Sequence, residues 1–476
     1  MLIAILDDGI DASFLKCPHK LRFDLIVQVD GTIRERKVDV EPILTEHGTN
    51  CAAIIQKYAP NADLCSLRIF HDESMRTEPR LLVSALDWCF RNKIPLVHLS
   101  VGSGLLSDYN EIQKIVSGMI AQEQLIIAAH SNSDPYSIPA CLGGVFGVVA
   151  DDTLTEDNYY YDESNVNFHS LKASSAHMLS FSSNEVILTQ VTNSYAAPVI
   201  TAILHNLCML LPPLSWTVEG VNRILRGRKA PTHFVKPDFI KEAYLYNPHG
   251  YDILKEHLFF NCLGEIQITE DANENNIVFL APVETYCDEE LLLLLREQFN
   301  KIAALVYCGK LPLKCGLERH RGFLWSENIL ELYWQGFDSL IEEIATPVVS
   351  ICGGGRASID LLCQLRNLFF ENEYQCLGIS RQHFSYLYGL EYIPDEISDD
   401  FAISQLNKIY KPDIIILNTV FTTPHNYNDD MYYIVLQKDK AMQKEIRFKN
   451  VILFDTNSEL IRSCSLLYSE ILDYFL

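Results

Sequence analysis

Residues 1 to about 228 alternate between two kinds of segment. Short, nearly uninterrupted apolar runs at residues 2–6, 64–70, 96–101, 125–129 and 145–150 have the length of strands buried on both faces. Between them, residues 51–58, 80–92 and 108–123 are amphipathic, as helices with one buried face are. A strand–helix–strand rhythm of this kind predicts an α/β fold, an open parallel sheet covered by helices on both faces. Chemistry on such a sheet gathers at the carboxyl ends of the strands. Asp7 and Asn132 each fall just beyond an apolar run, where that rule wants functional groups.

The rhythm breaks at residues 226–237, which are basic, carry two prolines and have no periodicity. It then resumes as a second α/β pattern. Strands are expected at residues 277–280, 303–307, 348–352, 375–379, 414–417, 432–436 and 451–454, with helices at 288–299 and 358–372. The chain therefore reads as a first domain over residues 1–228, a linker over 229–240 and an α/β accessory domain over 241–476. The accessory part divides naturally into 241–340 and 341–476. A length of 476 residues, too great for one ordinary core, agrees.

Charge and composition narrow the function. A formal charge of −24 excludes nucleic acid as the natural partner, because phosphate binding needs clustered Lys and Arg. No apolar stretch reaches the ~18 residues of a membrane span, so no membrane partner is expected. The 14 cysteines form no Cys-x-x-Cys motif, and several sit inside apolar runs, as small hydrophobes do. With no signal peptide at Met1, this predicts a reduced, cytoplasmic protein. Cys308, Cys315 and His320 read as core thiols and a surface histidine; neither metal nor cofactor is expected.

Three segments carry catalytic chemistry. Asp7-Asp8-Gly9 closes the first strand, His47-Gly48-Thr49 opens a run of small residues, and Ser194 lies in Thr192-Asn193-Ser194-Tyr195-Ala196-Ala197-Pro198. A serine hydroxyl needs a neighbouring base to act as a nucleophile at neutral pH. Histidine suits that task, and a buried carboxylate fixes its tautomer. Ser194 is expected at a helix start, with Pro198 in the first turn, where its missing N–H costs little.

In these motifs, and in the order Asp, His, Ser, residues 1–225 resemble the subtilisin-like serine proteases, the subtilases. The resemblance implies a subtilisin-like sheet and an Asp7–His47–Ser194 triad. It makes Asn132 the oxyanion donor, with Asn193 a second, and sets the substrate backbone along Ser100, Val101 and Gly102. It also places residues 139–144 at the rim of the primary specificity pocket. The sequence departs from the family pattern at Thr192-Asn193 in place of Gly-Thr, at Tyr195 in place of methionine and at His130-Ser131 in place of Ala-Gly. Cys51 stands four residues after His47. Secreted members carry a signal and a prosegment before the aspartate strand. Asp7 lies so near Met1 that a cytosolic endopeptidase is expected, cutting one particular peptide, for instance to remove a leader in natural-product maturation. Its partners would be a peptide or protein substrate and other peptide-maturation proteins. The alternative is an inactive peptide-binding or assembly protein on the same fold. In the accessory part, Gly353-Gly354-Gly355-Arg356 follows a strand and opens a helix, a candidate anion-binding loop that lacks the phosphate-loop spacing.

Overall fold

The computed structural model describes residues 1–475 except 44, 73, 75, 163–170, 212–215, 227–234, 267–276, 284–288, 298–301, 313–314, 318–321, 420–431, 437–450 and 455–459. His320 and half of the expected linker, residues 229–234, lie outside the described residues.

The first sheet holds nine strands: β1 (Leu2–Asp7), β2 (Leu21–Val27), β3 (Ile33–Glu35), β4 (Asp63–Arg68), β5 (Leu96–Leu99), β6 (Leu125–Ala129), β7 (Phe146–Ala150), β8 (Tyr159–Tyr161) and β9 (Leu171–Ala173). Their order is β3-β2-β4-β1-β5-β6-β7-β9-β8, parallel except for the outermost pair at each edge. The apolar runs became the central strands because those strands are covered on both faces, by helices α1 (His47–Tyr58), α2 (Pro79–Arg91), α3 (Tyr109–Ala121) and α4 (Asn193–Leu210). The rim strands β2, β3, β8 and β9 were not expected. They are short or mix exposed and buried positions, so no apolar run marks them.

β1 lies between β4 and β5. The chain reaches β4 on one side and then crosses β1 to reach β5 on the other, so a topological switch point opens at the carboxyl end of β1. Asp7 stands there. β5 ends at Leu99 rather than at residue 101, which leaves Ser100, Val101 and Gly102 free of the sheet. Just beyond them, Ser103 and Ile138 exchange both backbone hydrogen bonds at 2.8 Å.

α4 is apolar nearly all round and is the central helix of this layer. Val199, Ile200 and Leu204 are fully buried, each worth roughly 1.5–3 kcal/mol against exposure. The helix starts at Asn193, so Pro198 sits inside it rather than in its first turn. A hairpin of β10 (Met178–Ser180) and β11 (Val186–Leu188) precedes it, and α5 (Val218–Arg226) follows.

The second half holds two more sheets, parallel throughout. One comprises β12 (Glu242–Leu245), β13 (Asn261–Glu265), β14 (Ile277–Pro282), β15 (Ile302–Cys308) and β16 (Phe323–Ser326), with α6 (Glu289–Glu297) and α7 (Asn328–Gln335). The other comprises β17 (Val348–Cys352), β18 (Cys376–Ser380), β19 (Glu391–Tyr392), β20 (Ile414–Thr419), β21 (Tyr432–Leu436) and β22 (Val451–Phe454), with α8 (Arg356–Glu371), α9 (Asp399–Tyr410) and α10 (Leu460–Phe475). One apolar cluster runs from Ile3 to Ile471 and joins this half to the first. Polar contacts pin the join: Lys411 to Asp134 at 2.5 Å, Gln375 to Ser107 at 3.2 Å, and the Tyr136 and Tyr410 rings 4.9 Å apart. Among the described residues, no helix is long and apolar enough to cross a membrane.

Candidate active site

β1 delivers Asp7 to the switch point, where its carboxylate is 1% exposed. α1 begins at His47, and its Nδ1 meets both carboxylate oxygens of Asp7, at 2.8 and 2.9 Å. The turn between them is shaped by two glycines. Gly9 has φ +106°, a conformation side chains rarely adopt, and a Cβ on Gly48 would lie 2.4 Å from the Gly9 carbonyl. Asp8, adjacent and fully buried, anchors the histidine segment. Its carboxylate accepts from Gly48 N at 2.8 Å, from Thr45 N at 3.1 Å and from the Thr45 hydroxyl.

Electrostatics follow from this packing. Burial alone would push Asp7 upward, but the imidazole beside it and its hydrogen bonds hold the carboxyl below its ordinary value. Burial alone would lower His47; the charge of Asp7 and the hydrogen bond to it outweigh that and raise it. Asp8 has no cationic partner so close. Burial and the neighbouring Asp7 charge push it up to about 6.

Ser194 lies in the first turn of α4, partly exposed. The next residue, Tyr195, stacks its ring on His47 with centroids 5.2 Å apart, which sets the serine turn beside the imidazole. Pro198 has no N–H to give the Ser194 carbonyl four residues back. That carbonyl is satisfied from outside the helix, by Ser100 Oγ at 3.3 Å and Cys51 Sγ at 3.6 Å. Behind Ser100 lies His98, buried in β5. Its Nε2 is 3.0 Å from Ser100 Oγ and its Nδ1 2.9 Å from Thr201 Oγ1 of α4. Burial pushes His98 down to about 4, so it is neutral. His98 escapes sequence reasoning because a buried polar residue inside an apolar run gives no periodic signal. Asp8 stands in the first motif, but its hold on Thr45 and Gly48 has no local signature. Ser100, expected beside the substrate backbone, also takes up the Ser194 carbonyl that Pro198 cannot serve.

Asn132 is exposed past β6, and its Oδ1 accepts from Asn193 N at 3.0 Å. That bond orients the amide and leaves Nδ2 as its outward donor. Asn193 itself is a correction. Its Nδ2 donates to the His130 and Ser131 carbonyls at 3.1 and 3.0 Å, and its Oδ1 accepts from Ala150 N at 2.8 Å. Its side chain braces the loop that carries Asn132 and has no donor left for an oxyanion. The Ser194 N–H, in the first turn of a helix, is the donor that lacks an intrahelical acceptor.

Residues 1–225 match the model of the subtilase family. This half of the chain is a subtilase domain. Among solved structures, a lanthipeptide protease is 14% identical, with 48% of this chain and 80% of that one aligned and a TM-score of 0.38. The epidermin leader peptide processing serine protease EpiP of Staphylococcus aureus is 17% identical over 43% of this chain and 64% of its own, with a TM-score of 0.35. The prenylagaramide maturation protease PagA is 21% identical over 44% and 75%, with a TM-score of 0.34. No protein of curated function matches the chain.

Other expected sites fare differently. In the subtilase domain, residues 139–144 are mostly buried rather than open to substrate. Gly143 N donates to the buried Asp238 carboxylate at 2.7 Å. Asp7, His47 and Cys51 each offer a ligand atom within 4.8 Å of the others, so a thiophilic ion bound there would block the base. Burial pushes the Cys51 thiol well above its ordinary range. In the second half, Gly353–Gly355 do join β17 to α8, but Arg356 turns to Asp252 and Glu256. Its charge is met by carboxylates, and the anion reading loses its cation. Cys308 and Cys315 are buried in the apolar packing around β15.

Proposed function

We propose that this chain is a subtilisin-type serine endopeptidase. The observation that carries the reading is the buried Asp7 carboxylate holding His47 through Nδ1, with the Ser194 turn stacked against the same imidazole. In the proposed reaction the Ser194 hydroxyl attacks a peptide carbonyl while His47 Nε2 takes its proton. Asp7 stabilises the imidazolium, and Asn132 Nδ2 with the Ser194 N–H receives the negative oxygen. His47 then protonates the leaving amine, and water, deprotonated by the same base, releases the acyl group from Ser194. The backbone beside Ser100, Val101 and Gly102 would pair with an extended substrate strand.

The substrate we infer is one particular peptide, cut once, as in leader removal from a precursor of a ribosomally made natural product. Burial of most of residues 139–144 supports a restricted groove. The cytoplasm is the proposed compartment; the described cysteines are free thiols, as a reducing environment keeps them. Incubating the full chain with candidate precursor peptides and reading the products by mass spectrometry tests this. A single internal cut, lost in Ser194→Ala, is expected. Stable binding with no cut, unchanged in Ser194→Ala, would establish the binding-protein alternative instead.

A further inference from the structure

A cavity of about 510 Å3 opens directly beside Asn132 and Asn193, within the range of roughly 300–1,000 Å3 that ligand sites span. Its near wall is the subtilase domain, with Asn132, Asp134 and Val149; its far wall belongs entirely to the second half. There Phe337 and Asp338, in the connection after α7, stand with Lys408 and Ile409 of α9. None of residues 139–144 lines it. The cavity therefore brings side chains that the family match does not cover next to Asn132, within reach of residues adjoining a scissile carbonyl placed there.

The charges on that wall are unequal. Lys408 turns to Glu342 at 2.9 Å and Lys411 to Asp134 at 2.5 Å, so both cations already face a carboxylate. The exposed Asp338 then leaves an excess of negative charge, beside the ring of Phe337 and the apolar Val149 and Ile409. An apolar floor with a carboxylate at its rim suits a side chain with a long hydrocarbon stem and a cationic end. The overall charge of −24 draws the same class of peptide.

We propose that the second half completes the substrate cleft, with Phe337 and Asp338 selecting a basic residue next to the scissile bond. The inference rests on the peptidase reading, and two separate measurements keep them apart. Labelling of wild-type Ser194 by a fluorophosphonate reports the peptidase reading alone. Selectivity is read by binding, with full-length Ser194→Ala and synthetic decapeptides carrying Lys, Glu or Ala at each position in turn. At one position, lysine should bind about tenfold more tightly than glutamate. Asp338→Lys in the same background should reverse that preference, and Phe337→Ala should weaken the lysine peptides. Asp338 is exposed, so its replacement does not endanger the fold. Affinities indifferent to Lys or Glu, unchanged by both substitutions, or absent for every peptide, would overturn the inference.

Discussion

Replacing Asn132 by Asp isolates the proposed oxyanion donor. In the structure the Asn132 Oδ1 accepts from Asn193 N at 3.0 Å, a bond that a carboxylate oxygen can also make. The residue is exposed, so the substitution leaves the fold in place. What is lost is the Nδ2 donor, and a negative charge stands where negative charge must develop. Loss of one such donor costs about 2.7–4 kcal/mol, or ~10²–10³ in kcat. Because the bond strengthens only in the transition state, kcat should fall with little change in KM. Asn132→Ala, which loses both the donor and the bond to Asn193 but adds no charge, should fall by a similar factor. The assay is steady-state cleavage of any peptide the wild type cuts. A kcat for Asn132→Asp near the wild-type value would refute the role of Asn132 and with it the proposed hole.

Two further outcomes follow from the same geometry. His47 must be neutral to accept the serine proton, and Asp7 raises its pKa above the ordinary value near 6.5. The low-pH limb of kcat/KM should therefore rise through a midpoint above 6.5, and Asp7→Asn should lower that midpoint while cutting kcat by about 10⁴; a midpoint unmoved by Asp7→Asn would contradict the pairing. Asn193→Ala strips partners from Ala150 N and from the His130 and Ser131 carbonyls. At roughly 1–3 kcal/mol for each group left buried and unpaired, a clear drop in melting temperature is expected, and an unchanged melting curve would show that the brace is not made.

The central strands, the parallel sheet and the motifs around Asp7, His47 and Ser194 are legible in the sequence because each has a local signature: an apolar run, or a glycine and small residues beside the polar group. What was not legible depends on contacts between distant segments. Asn193 looks like a free donor until the His130–Ser131 carbonyls and Ala150 N are seen to take up its amide. Pro198 looks like a first-turn proline until α4 is seen to begin at Asn193, which leaves the Ser194 carbonyl to Ser100 and Cys51. The polar strands β12 and β13 gave no apolar run. The cleft beside Asn132 is made by residues about two hundred or more positions later, a pairing that no local pattern encodes.

The most direct measurement is covalent labelling of the intact protein with a fluorophosphonate, followed by peptide mapping. Ser194 of the wild type should carry the phosphonyl group, His47→Ala should label far more slowly, and Ser194→Ala should not label. No adduct on Ser194, or equal labelling of wild type and Ser194→Ala, would contradict a nucleophilic serine in this site.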